Sequence, residues 1–374
     1  MRKCLIACFW AGDLPCKEKA KGSEPHKPKG STIKVVAHSH AHRSIKALLA
    51  LLLTVLPLAA IAAPPVLILP LACAPNRDCW IANHVDLDPG PDSRDYACGA
   101  LTYDGHKGTD FAIRDRQAME DGVAVLAAAA GRVRAVRDGV TDVSARAAGR
   151  ESIKNRECGN GVALEHGDGW ETQYCHLRRG SLRVKAGEEV AAGQALGLVG
   201  LSGLTEYPHM HLSVRHEDKV VDPFRGEQKA MDCSSGSSLW RADVAAELPY
   251  APGAVYNAGF APERPGVEGV RSGSYRTAGA LSAGAPALVF FAEVFGVGAG
   301  DALELRITGP DGAALAQRRV PISERQARSF AYVGVRRSAA AWKPGVYRGE
   351  ARLVRAGGSR SPAASLAASV EVRE

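Results

Sequence analysis

Residues Gly161–Leu177 read GVALEHGDGWETQYCHL, and this stretch decides the fold class. Two apolar-rich runs, Gly161–His166 and Trp170–Leu177, flank Gly167, Asp168 and Gly169. Glycine and aspartate accept the backbone conformations of a tight turn, so the pattern predicts an antiparallel hairpin. Downstream, Val184–Val199 places turn residues at Lys185-Ala186-Gly187 and Ala192-Gly193 between apolar ones, and Met210–Arg215 predicts another strand, with the Asp222-Pro223 break beyond it. Upstream, Ala-rich Val123–Val136 has helix propensity, but Gly122 and Gly131 bound a piece too short for a firm helix. Asp142–Glu157 is charged and reads as an inserted loop. Beyond Pro252 come six spaced runs: Ala287–Val294, Ala302–Ile307, Ala314–Val320, Ser329–Val335, Tyr347–Leu353 and Ala364–Val372. Turn signals such as Gly309-Pro310-Asp311-Gly312 separate them. The expected fold is mainly β: an antiparallel β-sheet domain followed by a C-terminal immunoglobulin-like β-sandwich.

The 374 residues carry a formal charge of +7, but residues 1–63 hold ten Lys/Arg against three Asp/Glu and so account for all of it. The rest is neutral overall, which excludes a generally basic surface for nucleic acid. Arg43 and Lys46 precede an apolar run from Ala47 to Ala63 that ends in small residues. That is the pattern of a secretory signal peptide, expected at 43–63 with cleavage near Ala62 or Ala63. The run is near the lower length limit for a membrane span and contains Pro57, so no stable membrane insertion is expected after cleavage. Residues 1–42 are an unusual extension before such a signal, and the true translation start is expected near Val35 or Val36. His38, His40 and His42 fall in that extension and are not read as a metal site. Six cysteines follow the leader: Cys73, Cys79, Cys98, Cys158, Cys175 and Cys233. An even count in an exported chain predicts disulfides, with Cys73–Cys79 as the first pair.

The histidines carry the chemistry. Gly105-His106-Lys107-Gly108-Thr109-Asp110 contains a His-x-x-x-Asp pair, Cys175-His176-Leu177 places one His on the hairpin, and Pro208-His209-Met210-His211-Leu212 holds a His-x-His. On a strand, positions two apart share a face. Imidazoles with one carboxylate suit zinc. His106 and Asp110, four apart, would stand about 13 Å from each other on a straight strand, so the chain is expected to bend at Gly108. Cys175, next to His176, is expected to face away from the site by strand alternation and to serve as a disulfide partner or buried thiol rather than a nucleophile. His84, His166 and His216 are read as structural. Asp86, Asp88, Asp92 and Asp95 lack the glycine and terminal glutamate of an EF-hand loop and predict a solvated turn rather than a calcium site.

These three elements, in this order between Tyr103 and about Phe224, resemble the LytM/lysostaphin-type zinc metallopeptidases that cut peptide cross-links of bacterial peptidoglycan. The resemblance implies that His106, Asp110 and His211 ligate one zinc ion and that His176 and His209 are the unligated catalytic pair. The stretch Gly203–Pro208 departs from the plain Gly/Ser/Thr segment common in that family and is expected to reshape the substrate groove. The organisation expected is a doubtful extension (1–42), the signal peptide (43–63), a loop-rich cysteine-containing segment (64–102), the LytM-type peptidase domain (103–233), a linker (234–254) and the sandwich (255–374). The sandwich contains no histidine. It is expected to be an accessory module for substrate approach or a protein partner, removable without loss of the first domain. The function implied is a secreted zinc endopeptidase of peptidoglycan peptides, periplasmic, with an outer-surface or released enzyme as the other possible location. The competing readings are a non-catalytic wall-binding or hydrolase-activating protein of the same fold, and a zinc peptidase acting on a protein.

Overall fold

The computed structural model describes residues 63–227, 236–276, 279–338, 340–358 and 364–374. Residues 43–62 of the expected signal peptide, the extension before it, Cys233 and the first residues of the linker lie outside the described residues.

The predicted hairpin is present: β5 (Asn160–Glu165) and β6 (Trp170–Leu177) pair antiparallel around the Gly-Asp-Gly turn. In chain order the other strands of this half are β1 (Cys79–Asn83), β2 (Thr109–Ile113), β3 (Ala124–Leu126), β4 (Gly131–Arg137), β7 (Glu189–Val190), β8 (Ala195–Leu198), β9 (His209–His216) and β10 (Lys219–Val221). The main sheet runs β1-β2-β9-β6-β5-β4-β7 with β10 added on β9, and β3 pairs β8 in a small second sheet. All these pairs are antiparallel. The Ala-rich Val123–Val136 run is therefore two strands and not a helix, because Gly131 begins a new strand. Two helical turns, Ala145–Ala148 and Arg150–Ile153, occupy the segment read as an inserted loop.

Alternation on β9 sorts core from site. Met210, Leu212 and Val214 are fully buried against Tyr174, Leu164 and Phe111, while His209, His211 and Ser213 stand on the opposite face. The segment 64–102 belongs to this same body: Leu67 and Leu71 lie in the core, and β1 forms the sheet edge beside β2. Residues 239–248, read as linker, also enter it. Leu239, Trp240, Val244 and Leu248 pack into the core, and the Leu67 amide donates to the Leu239 carbonyl.

In the second half, β11 (Ala254–Ala261), β13 (Ala287–Val297) and β16 (Gln326–Arg336) form one sheet. The other runs β12 (Ala280–Ser282), β18 (Ser365–Arg373), β17 (Gly345–Val354), β14 (Ala302–Thr308) and β15 (Ala314–Pro321). Phe290, Leu303, Ile307, Ala351 and Val370 from both sheets share one core. All six predicted runs are strands; the pattern does not announce β11, whose AVYNAGFA lacks clean alternation, or β12, which is only three residues long. A separate cluster of Trp80, Leu101, Ala254, Tyr256 and Phe295 joins the two halves. Arg325 donates to the carbonyls of Ala100 and Thr102, and Arg276 pairs with Asp115 at 3.1 Å.

Candidate metal centre

The chain reaches His106 through the acidic turn. Asp86 Oδ2 accepts the Gly105 amide at 2.9 Å, and the Asp86 amide donates to the His106 carbonyl. Asp95 accepts three backbone amides and the Tyr250 hydroxyl. These two carboxylates are thus spent on ordering the loop. A bend follows at Gly108, as the spacing of His106 and Asp110 requires. A side chain at Gly108 would put its Cβ 2.5 Å from His211 Nε2 and from the Leu212 carbonyl, so only glycine lets the strands approach here. Asp110 then enters β2 directly opposite His211 on β9.

His106, Asp110 and His211 bring one ligand atom each within 4.8 Å of one another. His106 Nε2 lies 3.2 Å from Asp110 Oδ1 and from His211 Nδ1, and His211 Nδ1 lies 2.8 Å from Asp110 Oδ1. Hydrogen bonds on the far side of each ring fix the tautomers. His106 Nδ1–H donates to the His84 carbonyl at 2.6 Å. Ser213 gives its only hydroxyl proton to the Lys107 carbonyl, so its oxygen accepts His211 Nε2–H at 3.0 Å. Two ring lone pairs and a carboxylate oxygen therefore converge with no proton assigned between them, which is the donor set a cation completes. Asn83 Nδ2 donates to the outer oxygen of Asp110 at 2.9 Å and leaves the inner one free. Burial opposes the Asp110 charge, but His106 and His209 outweigh it and hold the carboxyl well below the usual range.

His176 and His209 stand beside this set, with ring centroids 4.7 Å apart. His209 Nδ1–H donates to the Tyr207 carbonyl at 2.9 Å, with Thr205 Oγ1 at 3.0 Å, and its Nε2 reaches within 3.4 Å of Asp110. His176 arrives by a different route. Cys175 lies directly opposite His211 in the β6–β9 ladder, so its side chain shares the site face instead of turning away. Alternation breaks one residue later: His176 has φ 63°, a left-handed conformation uncommon outside glycine, and this swings its ring back to the same face. The conformation is held by the His176 amide donating to the Cys158 carbonyl and Nδ1–H donating to the Ser202 carbonyl, both at 2.8 Å. A Cys158–Cys175 disulfide ties these segments, and the predicted Cys73–Cys79 bridge is also present. Burial, then the neighbouring His209 and His211, pushes the His176 pKa well below its ordinary value, so the ring is neutral.

All five predicted site residues meet in one place. His166 is occupied by the Ala130 carbonyl and the Thr172 hydroxyl, and His216 lies outside the site against Trp170. What sequence reasoning missed is the ring of supports: the carbonyls of His84 and Ser202, the side chains of Asn83, Thr205 and Ser213, and Tyr207. The two carbonyls carry no side-chain signal; Ser213, two residues past His211 on the same face, was a readable one.

A model of peptidase family M23 matches residues 104–223. Over 122 residues the chain is 30% identical to the peptidoglycan DD-endopeptidase ShyB of Vibrio cholerae, covering 33% of this chain and 23% of that protein. It is 41% identical over 64 residues to the cell division protein DipM of Caulobacter vibrioides, 17% of this chain and 10% of DipM. The DD-carboxypeptidase/endopeptidase Mpg of Neisseria meningitidis is 36% identical over 85 residues, 22% of this chain and 19% of Mpg. The chain thus spans less than a quarter of the length of each. With the site geometry already described, residues 104–223 are a peptidase family M23 domain.

Proposed function

We propose that the protein is an exported zinc metalloendopeptidase that hydrolyses peptide cross-links of peptidoglycan. The observation that carries this is the convergence of His106 Nε2, Asp110 Oδ1 and His211 Nδ1 beside two further imidazoles whose Nδ1 protons are already engaged. His106, Asp110 and His211 would hold zinc, and His176 and His209 would serve the reaction. Bound zinc supplies Lewis acidity and brings the pKa of a water molecule to about 7. His176, neutral through burial, is able to accept a proton at Nε2 because Nδ1–H is fixed on the Ser202 carbonyl. His209, fixed in the same sense by the Tyr207 carbonyl, is able to take or hold a proton at its own Nε2. After one proton is accepted, either ring becomes a donor toward a developing oxyanion or a leaving amine. Every one of the five positions is filled, which favours catalysis over binding alone. The similarity to peptidoglycan DD-endopeptidases supports peptidoglycan as substrate, and with it a periplasmic or wall location. The C-terminal half is read as an immunoglobulin-like sandwich available to a protein partner.

The test is digestion of purified sacculi by the zinc-loaded full chain, with mass spectrometry of the released fragments. Cross-linked fragments are expected to fall and their uncrosslinked products, heavier in sum by one water, to rise. An unchanged fragment pattern would overturn the endopeptidase reading, and cleavage of a co-incubated protein alone would redirect it to protein substrates.

A further inference from the structure

The Tyr207 side chain has no part in the chemistry above, where only its carbonyl serves His209, yet that side chain touches both groups of site residues. Its ring stacks on His209, with centroids 4.6 Å apart and planes 28° apart. Its hydroxyl accepts from Asn83 Nδ2 at 3.3 Å, and the same amide donates to Asp110. Against that ring lies a residue from the other half of the chain: Arg328 on β16 places its guanidinium carbon 4.7 Å from the centroid. A guanidinium over an aromatic face is attracted by the ring quadrupole, and a desolvated site strengthens the attraction. Three residues earlier, Arg325 fastens the start of the same strand to the backbone at Ala100 and Thr102, just before the turn that carries His106. The apolar cluster of Trp80, Leu101, Ala254, Tyr256 and Phe295 closes the seam behind them.

We propose that Tyr207, clamped by Arg328, is a positioning residue for His209, so that the C-terminal half completes the active centre. Hydrogen bonds to Nδ1 hold one edge of the His209 ring and leave it free to tilt about that edge. A flat ring packed on its face removes that freedom. Proton transfer tolerates little misplacement, and an error of about 1 Å can cost roughly 100-fold. The proposal rests on the reading of His209 as a proton-transfer residue.

The experiment compares Tyr207→Ala, Tyr207→Phe and Arg328→Ala in the full zinc-loaded chain. It reads kcat, KM, zinc content, thermal midpoint and the NMR signals of the histidine rings. Tyr207→Ala and Arg328→Ala are expected to lower kcat roughly 10- to 100-fold, with KM, zinc and thermal midpoint little changed. Tyr207→Phe keeps the ring and is expected to rescue most of kcat. In the spectra the ring-current displacement of His209 should vanish in Tyr207→Ala and its signals broaden in Arg328→Ala, with His166 unmoved. Wild-type kcat in Tyr207→Ala, or a loss that only follows zinc or folding, overturns the proposal. An inactive zinc-loaded wild type sinks the proposed function instead, and the His209 signals then decide positioning alone: signals unaltered in both variants overturn it.

Discussion

The five residues of the centre divide by what they touch. On the proposed assignment, His106→Ala, Asp110→Ala and His211→Ala are each expected to lose zinc, because each removes one of the three proposed protein ligands. His176→Ala and His209→Ala should keep near-stoichiometric zinc while kcat falls about 100- to 10,000-fold, the range of general acid–base assistance. Metal analysis of the five purified variants checks the division, and a folded, zinc-free His176→Ala or His209→Ala would reverse it. His84 belongs to the support: its carbonyl orients His106 while its ring is buried among Tyr96, Phe224 and Tyr250. Burial, against the pull of Asp95, lowers its pKa from 6.5 to about 4. In the unfolded chain the ring takes a proton near pH 6.5, and in the folded chain it does not until near pH 4. Stability should therefore be intact above that window and decline as pH falls through it. Denaturant titrations across the window should show a shallower decline in His84→Phe, which suits the aromatic surroundings without the titrating nitrogen. An equal slope in both proteins would remove His84 as the cause.

At the level of strands and loops, most of the architecture was written in the pattern of apolar residues, and the exceptions have causes. The hairpin around Gly167–Gly169, β9 and the six runs after Pro252 follow from alternation and turn residues. The bend at Gly108 follows from reach: two side chains four residues apart cannot meet along a straight strand, and those of His106 and Asp110 do meet. The direction of Cys175 did not follow, because alternation assumes regular backbone and His176 departs from it. The support carbonyls were illegible because they belong to the backbone and any residue type supplies one. The segment from Cys158 to Cys175 shows how an irregular residue is secured. The disulfide closes a span of 17 residues and fixes the carbonyl that holds the His176 amide. Replacing both cysteines by alanine should cost about 3 kcal/mol of stability on the chain-entropy account. It should also lower kcat with zinc retained, because His176 is proposed to serve the reaction and not to hold the metal. A double variant with full activity at a temperature where it is folded would show that the two hydrogen bonds hold His176 unaided.

Across the whole molecule, the sequence divides what the packing joins. A polar Ser/Pro-rich stretch reads as a linker, but Leu239, Trp240, Val244 and Leu248 lie in the first core, and Trp80 and Leu101 are covered by Ala254, Tyr256 and Phe295. A seam built from residues so far apart in the chain has no local periodicity to announce it. Ending the chain at Gly253 should expose Trp80 and Leu101, each worth roughly 1.5–3 kcal/mol of burial. The shortened protein is expected to melt lower and to bind apolar dyes, as measured by calorimetry and dye fluorescence. An unchanged thermal midpoint for the first half would restore the picture of two independent modules. The position of this seam also sets an order in time. Chains are made from the amino terminus, so His106 through His211 leave the ribosome well before Tyr256, Arg325 and Arg328. A nascent or prematurely ended chain can hold all five histidine and aspartate residues of the proposed centre while lacking the strands that cover Trp80 and clamp Tyr207. Under the proposed function, the clamp on Tyr207 would be complete only once β16 has been made, in the last third of the chain, so an unfinished copy would carry the proposed centre without its support.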